Sequence, residues 1–348
     1  MQIREIKDQS VWDDFVEKLN LNTFLHSHGW MEFNKKQGYK TWQLGLFDEN
    51  NVLKAVSLII KVDAKRGTFL FCPHGPQSIT FKDSKDSKLK TAELDLFVGF
   101  LRQLAKKEKC SFIRIQPIVD KNPENAEIFV NAGFRTAPIH MHTELSSVLD
   151  IDRPIDEILL GMRKTTRQMV KKAVSLVEKK EVIVEYHTKI DDSLYEVYKA
   201  TGDRGNFVIY SQEYLQNEFD SFYSSGNAVL YSISYKGKIL SWGMVIFSGS
   251  RAFYHQGANI LNKDIPASYL CQWTGINKAI EKGCKTYDFW GVAPAEAKNH
   301  PWARISLFKR GFGGSDTELL HAQDLVLDWK YWIAWAIEKN RARKRGFN

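Results

Sequence analysis

Between residues 286 and 314 the chain reads TYDFWGVAPAEAKNHPWARISLFKRGFGG, and two residue types in it could do chemistry. Asp288 sits inside an apolar, strand-like run, Tyr287-Asp288-Phe289-Trp290-Gly291. Lys309 sits in a glycine-rich phrase, Phe308-Lys309-Arg310-Gly311-Phe312-Gly313-Gly314. A core strand gains nothing from an acid, and a plain loop gains nothing from this many aromatics. A cation can steady a developing oxyanion, and an acid can take up a proton. The chain has no G-x-x-x-x-G-K-[ST] loop, so nothing points to nucleotide hydrolysis. It has no G-x-S-x-G elbow and no Cys–His nucleophile pair.

Strands and helices must carry these residues, and the chain writes its elements twice. Residues 42–60, WQLGLFDENNVLKAVSLII, and 229–247, VLYSISYKGKILSWGMVIF, both read as strand, polar turn, strand. The turns hold Asn50-Asn51 and Lys236-Gly237-Lys238. FLFCPHGP (69–76) and AFYHQGAN (252–259) follow as third strands. ELDLFVGFLRQLAKKEKC (93–110) and YLCQWTGINKAIEKGC (269–284) have apolar residues at three- and four-residue spacing, which predicts helices. The short strands SFIRIQP (111–117) and KTYDFWG (285–291) come next, then the pairs Gly133-Phe134 and Gly311-Phe312. Six blocks in one order, offset by about 180 residues, predict an internal duplication.

The expected fold class is α+β, with two tandem domains, each a mixed sheet flanked by helices. Pro154, in LDIDRPIDEI, puts the boundary near 149–158. The first domain is then 1–150 and the second 151–319. Aligning the two Gly-Phe pairs sets Asn131 opposite Lys309 and IQP opposite DFW. The second copy carries a cation and an acid where the first carries neutral amides.

The 348 residues are 43% hydrophobic, enough for sizeable cores. The net charge of +8 favours acidic partners such as nucleic acid, an anionic membrane face or a phosphorylated substrate. Four cysteines without CxxC spacing suggest a reducing cytoplasm. The N-terminus is charged from Arg4 onward, so no signal peptide is expected. No stretch reaches the roughly 20 apolar residues needed to cross a bilayer.

The phrases MRKTTRQMVKKA (162–173), YDFWGVAP (287–294) and HPWARISLFKRGFGG (300–314) resemble the Fem-type aminoacyltransferases, the FemABX family. Weaker likeness at WMEFNKKQGY (30–39) and CPHGP (72–76) extends the resemblance over most of the chain. It implies two GNAT-like domains, with residues 320–348 returning to complete the first. Without a coiled-coil heptad run, the chain looks like the compact FemX-like type. The implied reaction moves an amino acid from aminoacyl-tRNA to a stem-peptide amine of a peptidoglycan precursor, UDP-linked or lipid-linked. Aminoacyl-tRNA is the co-substrate, and no cofactor is implied. An aminoacyl ester is already activated, so an amine can attack it without a protein nucleophile. The reaction needs orientation, a cation or dipole for the oxyanion, and a route for the proton.

The resemblance places a functional lysine at Lys309, following Phe308, and leaves Asp288 as the nearby acid. It also implies that Tyr254, with Arg204 and Tyr210 in GDRGNFVIYSQEY, contacts the phosphate-bearing part of the precursor. An arginine fork suits a diphosphate. Two positions depart from the family pattern. Where a lysine is common, four residues after the tryptophan of WMEFNKKQGY, this chain has Asn34, followed by Lys35 and Lys36. Neighbours on a helix point about 100° apart, which leaves open which of the three meets the precursor. The strand SFIRIQP ends on Gln116 where an acid is common, and an amide cannot accept a proton at neutral pH.

Arg163, Lys164, Arg167 and Lys171 form a one-sign cluster on a predicted helix, which suits phosphate contact with tRNA or precursor. His26/His28 and His140/His142 have the i,i+2 spacing of strand neighbours, but no further ligands stand at diagnostic spacing, so no metal is expected. The tail carries Trp329, Trp332 and Trp335 with Lys339, Arg341, Arg343 and Lys344. We expect a last helix docked on the first domain by its aromatic face. The same mix also suits peripheral contact with the inner membrane surface. The expected location is therefore cytoplasmic, at times against the membrane. Two other readings stay open. One is a GNAT-like acyltransferase using acyl-CoA, a protein N-terminus or a lipid. The other is a non-catalytic module that binds RNA or a membrane surface.

Overall fold

Apolar runs separated by tight polar turns become strands in a computed structural model, which describes residues 1–19, 23–65, 67–84, 86–205, 207–297 and 299–345. In chain order the strands are β1 (Gln2–Glu5), β2 (Thr41–Phe47), β3 (Leu53–Ala64), β4 (Gly67–Pro73), β5 (Gln77–Ser78), β6 (Phe112–Gln116), β7 (Arg135–Thr136), β8 (Leu145–Asp150), β9 (Val182–His187), β10 (Ala228–Tyr235), β11 (Lys238–Ser248), β12 (Arg251–Asn259), β13 (Thr286–Gly291), β14 (Ser315–Glu318) and β15 (Gln323–Val326). They form two mixed sheets, flanked by twelve α-helices among the described residues. The fold is α+β. The chain divides into two compact units. One comprises Met1–Leu145, Pro294–Pro301 and Thr317–Asn348; the other comprises Ser146–Ala293 and Trp302–Asp316.

In the first unit the sheet order is β1-β2-β3-β4-β6-β15-β7, with β5 paired to β3. β2, β3 and β4 run antiparallel, and β6 then joins β4 in parallel. The helix Ser87–Lys107 makes that crossover. Asp86 caps its first N–H groups, and Leu94, Phe97, Leu101 and Ala105 line its buried face. In the second unit β10, β11 and β12 run antiparallel and β13 joins β12 in parallel, the same path again. Asn51, Lys236 and Gly237 take φ of 63°, 48° and 73°, the left-handed conformation a tight turn demands. The second crossover helix, Ala267–Glu281, is buried on most of its surface. A Cβ on Gly275 would lie 2.5 Å from the Tyr287 hydroxyl and 2.6 Å from that of Tyr231, so only glycine lets helix and sheet close there.

The two copies part at the far ends of their parallel strands. β12 and β13 pair only as far as Phe253 and Asp288, although β12 continues to Asn259. β12 also bulges against β11, because Met244 faces Gln256 while Val245 faces Tyr254, leaving His255 extra. The Gly-Phe turns differ as well. Gly133 takes φ of 86°, whereas Gly311 is right-handed (φ −60°) and the left-handed glycine is Gly313, at 90°.

The C-terminal return docks differently from the expectation. In the helix Tyr331–Arg345, Tyr331, Ala334, Glu338 and Ala342 are buried and Trp335 is half-buried, while Trp332, and Trp329 just before the helix, are exposed. The face that docks is polar at its centre. Arg114 on β6 donates from Nε and Nη2 to Asp324 on β15 (2.7 and 2.8 Å), and from Nη2 to Glu338 (2.8 Å). All three are essentially inaccessible to water. A buried charge needs its partners, so Glu338 fixes which side of the helix turns inward. Trp332 is left outside, over the Arg135 guanidinium at 4.5 Å.

Candidate active site

Lys309 lies near the end of the helix Ala303–Arg310 and is buried. Its Nζ donates to the carbonyl of Gly291, at the end of β13, at 2.8 Å. Two neighbours on the same helix hold the same stretch. Ser306 Oγ accepts from the Ala293 N–H at 2.7 Å, and Arg310 Nη2 donates to the Ala293 carbonyl at 2.5 Å. Arg310 is itself paired with Asp316. The chain leaving β13 is thus tied to this helix by three side chains, Ser306, Lys309 and Arg310. Burial pulls the Lys309 ammonium down from 10.5 to about 8, and the nearby Asp288 charge opposes that shift. A lysine so placed can change its protonation state near neutral pH. Phe308 turns toward the core, edge-on to Tyr269 and Phe312 at 5.0 and 5.4 Å.

Asp288 is buried in the middle of β13. Its Oδ1 accepts from the Trp290 N–H at 2.7 Å, and its Oδ2 from Ser146 Oγ at 3.2 Å and Arg251 Nη2 at 3.4 Å. Burial raises its pKa, opposed by Arg251, the Trp290 N–H, Ser146 and Lys309. The bond to the Trp290 N–H accompanies an unusual backbone, because Trp290 takes φ of 65°. That conformation is costly for a bulky residue and persists only where its surroundings enforce it. It aims the indole edge-on at Phe253 and His255, at 5.9 and 5.4 Å, where β12 and β13 have parted.

The structure brings Asp288, Phe308 and Lys309 together, and it sets the basic helix beside them. The Arg163 N–H donates to the Gly311 carbonyl at 2.9 Å, so the helix Lys164–Glu178 starts against the turn that follows Lys309. Arg163, Lys164 and Lys171 are exposed. Arg167 is half-buried and donates to the Leu160 carbonyl at 2.9 Å. Arg204 is held at the end of β12 by the Asn259 carbonyl (2.7 Å) and side chain. Tyr210 is exposed and stacks on Tyr214, with ring centres 4.1 Å apart. Tyr254 points its hydroxyl into the core toward Cys271 and Gln272, where burial raises its pKa strongly.

In the first unit, Asn34 is buried and its Nδ2 donates to Trp30 O of its own helix at 2.8 Å. Lys35 and Lys36 are exposed, and Lys35 pairs with Glu32 at 2.9 Å. Gln116 uses both ends of its amide. Oε1 accepts from the N–H groups of Met141 (3.1 Å) and His142 (2.9 Å), and Nε2 donates to His142 O at 2.7 Å. A carboxylate there could not make the last bond and would face a carbonyl. Gln116→Glu is therefore expected to destabilise the fold by roughly 1–3 kcal/mol, read as a lower urea midpoint.

Several participants carry no sequence signal. Arg251 and Ser146 reach Asp288 from 37 residues and 142 residues away. The buried Glu218 accepts from Gln256 Nε2 at 3.0 Å and lies 2.9 Å from His255 Nε2, next to the Trp290 ring. The bulge at His255 could be found only by pairing the strands.

A model described as the FemAB family matches residues 8–141, and one described as an acetyltransferase (GNAT) domain matches residues 161–300. A lipid II:glycine glycyltransferase of Staphylococcus epidermidis is 20% identical, with 91% of each chain covered. Together these likenesses support a member of the FemABX family. The fold agrees. The crystal structure of FemX superposes with a TM-score of 0.82 at 19% identity, covering 97% of this chain and 100% of that one. A tandem GNAT protein from the clavulanic acid pathway gives 0.57 at 11% identity, covering 93% and 97%. The chain therefore consists of two GNAT-like halves, and its second half carries the buried Lys309.

Proposed function

We propose that this acyltransferase moves an amino acid from aminoacyl-tRNA to a stem-peptide amine of a peptidoglycan precursor. The observation that carries the reading is the buried Lys309 ammonium beside Asp288, the acid lying within the residues that match the acetyltransferase domain and the lysine just beyond them. The acceptor amine attacks the ester carbonyl carbon and a C–N bond forms. The carbonyl oxygen takes up negative charge. The intermediate collapses by breaking the C–O bond to the tRNA ribose. The amine loses a proton and the ribose oxygen gains one. One of the three N–H donors of Lys309 is held by Gly291 O, leaving two for the oxyanion. Asp288 favours the charged form of Lys309. Arg204 and Tyr210 stay near the surface for an anionic precursor, and Lys35 and Lys36 offer cations in the first unit. Tyr254 contributes packing.

The curated relative's name puts lipid II on the acceptor side. A lipid-linked acceptor fits the exposed Trp329, Trp332, Ile333 and Ile337 of the tail, with Arg341 and Lys344 on the exposed surface of the same helix. No helix among the described residues is long and apolar enough to cross a membrane, so contact would be peripheral.

Donor choice tests the reading. Incubation with charged tRNA or acetyl-CoA and a precursor should give product carrying an added aminoacyl mass only with charged tRNA. Transfer from acetyl-CoA alone would overturn it. The exposed pair Lys164 and Lys171 tests the tRNA surface. Reversing both to Glu is expected to weaken tRNA binding and to flatten the plot of log affinity against log salt by about one unit or more. An unchanged slope would exclude that surface.

A further inference from the structure

His140 and His142 looked like a strand pair, but the structure separates them. The His142 ring packs with Trp30 and Phe71, at 5.6 and 5.5 Å between centres. His140 turns toward Glu144 and toward His321 of the returning chain. The coordinating atoms of His140, Glu144 and His321 all lie within 4.8 Å of one another. Glu144 Oε2 is 2.7 Å from His321 Nδ1 and 3.6 Å from His140 Nδ1. Two imidazoles and one carboxylate converging on one point is a zinc-type ligand set with room for a further ligand.

The surroundings of these three groups also suit ligation. Glu144 Oε1 accepts from the Ala322 N–H at 2.8 Å, which orients the carboxylate and leaves Oε2 toward the imidazoles. His321 Nε2 is 3.0 Å from the Ala137 carbonyl. A bond there keeps a proton on Nε2, so a metal ion would take Nδ1 by displacing the proton that Nδ1 shares with Glu144 Oε2 in this structure, and the ring would then have the arrangement that metal-bound histidines share. The backbone bonds Ala137 N to Ala322 O (2.8 Å) and Leu319 N to Glu144 O (2.7 Å) hold the two segments side by side. The nearby cation Lys121 is paired with Glu318 at 2.7 Å. The three side chains are part-buried and open to solvent on one side.

We propose that His140, Glu144 and His321 bind one divalent zinc-class ion, which clasps the returning segment around residue 321 to the segment 137–144. The Oε2–Nδ1 separation opens by roughly 0.6 Å to reach the spacing of ligands around a tetrahedral Zn²⁺. Solvent takes the remaining position.

The test uses the untagged full chain, stripped with a chelator and titrated calorimetrically with Zn²⁺. One ion per chain is expected, with a rise in the unfolding temperature that grows with free Zn²⁺. His140→Ala removes a ligand whose partners among the described residues are the long Glu144 contact and the His321 ring edge. It is expected to weaken binding by more than the roughly 10–100-fold that loss of a hydrogen bond to a ligand costs, with the zinc-free unfolding temperature unchanged. Co²⁺ on the unmodified protein gives an independent reading. Visible bands without thiolate charge-transfer absorption are expected, because all four cysteines are buried elsewhere. No binding, binding unaffected by His140→Ala, or a thiolate spectrum would each overturn the proposal.

Discussion

Replacing Lys309 with alanine is expected to lower aminoacyl transfer by about 10²-fold or more, the scale of losing one preorganised oxyanion donor. Stability should move the other way or stay level. The lysine titrates near 8 in the folded protein against 10.5 when free. Between those values the unfolded chain binds more protons than the folded one, so stability rises with pH across that window. Below pH 8 the folded protein carries the full cost of the buried ammonium, on the order of 3 kcal/mol. Lys309→Met keeps the stem and removes that cost, at the expense of the Gly291 bond. It is expected to melt no lower than wild type at pH 7 while being nearly inactive. The wild-type kcat profile should fall as pH passes about 8, where the ammonium is lost. Lys309→Arg keeps its charge and should push that falling limb to higher pH. Full turnover in Lys309→Ala would take the residue out of the chemistry. Loss of folding would make it only a pin between Gly291 and the helix.

Arg114→Met should produce the largest loss of stability. It leaves Asp324 and Glu338 buried, of like charge and without the guanidinium between them. Removing one partner from such a group costs roughly 3–5 kcal/mol, read as a lower urea midpoint. The two carboxylates hold Arg114 firmly protonated, so wild type should show no loss of this interaction at alkaline pH within the working range. Replacing all three residues with apolar ones of similar volume should restore most of the stability. If Arg114→Met unfolds like wild type, the C-terminal helix is not held by this network.

The repeated strand-turn-strand blocks were legible because alternation, turn residues and helical spacing are local properties. They placed Asp288 on a strand and Lys309 beside the Gly-Phe turn; the structure puts Asp288 in mid-strand and Lys309 in the last turn of the helix before that turn. The duplication pointed to the second half, because aligning the two Gly-Phe pairs sets Asn131 opposite Lys309. Gln116 also showed why an amide stands there, once its three bonds to Met141 and His142 were seen. The tail misled, because three tryptophans suggest an apolar docking face. Glu338 won instead, as a buried guanidinium 224 residues away in sequence needs its carboxylate more than an indole needs cover.

The sequence by itself determined the doubled topology, and its phrases carried the resemblance to the FemABX family that the likenesses to known proteins support. Tertiary structure decided which side chains meet. It buried Lys309 against Gly291 and parted β12 from β13 beyond Asp288. It turned Trp329 and Trp332 outward and split His140 from His142. Periodicity reports which face of an element is buried, but partners are set by strand register and by returning chain segments. Some of those relations join residues more than a hundred positions apart, as Arg114 joins Glu338 and Ser146 joins Asp288, and no local pattern encodes them.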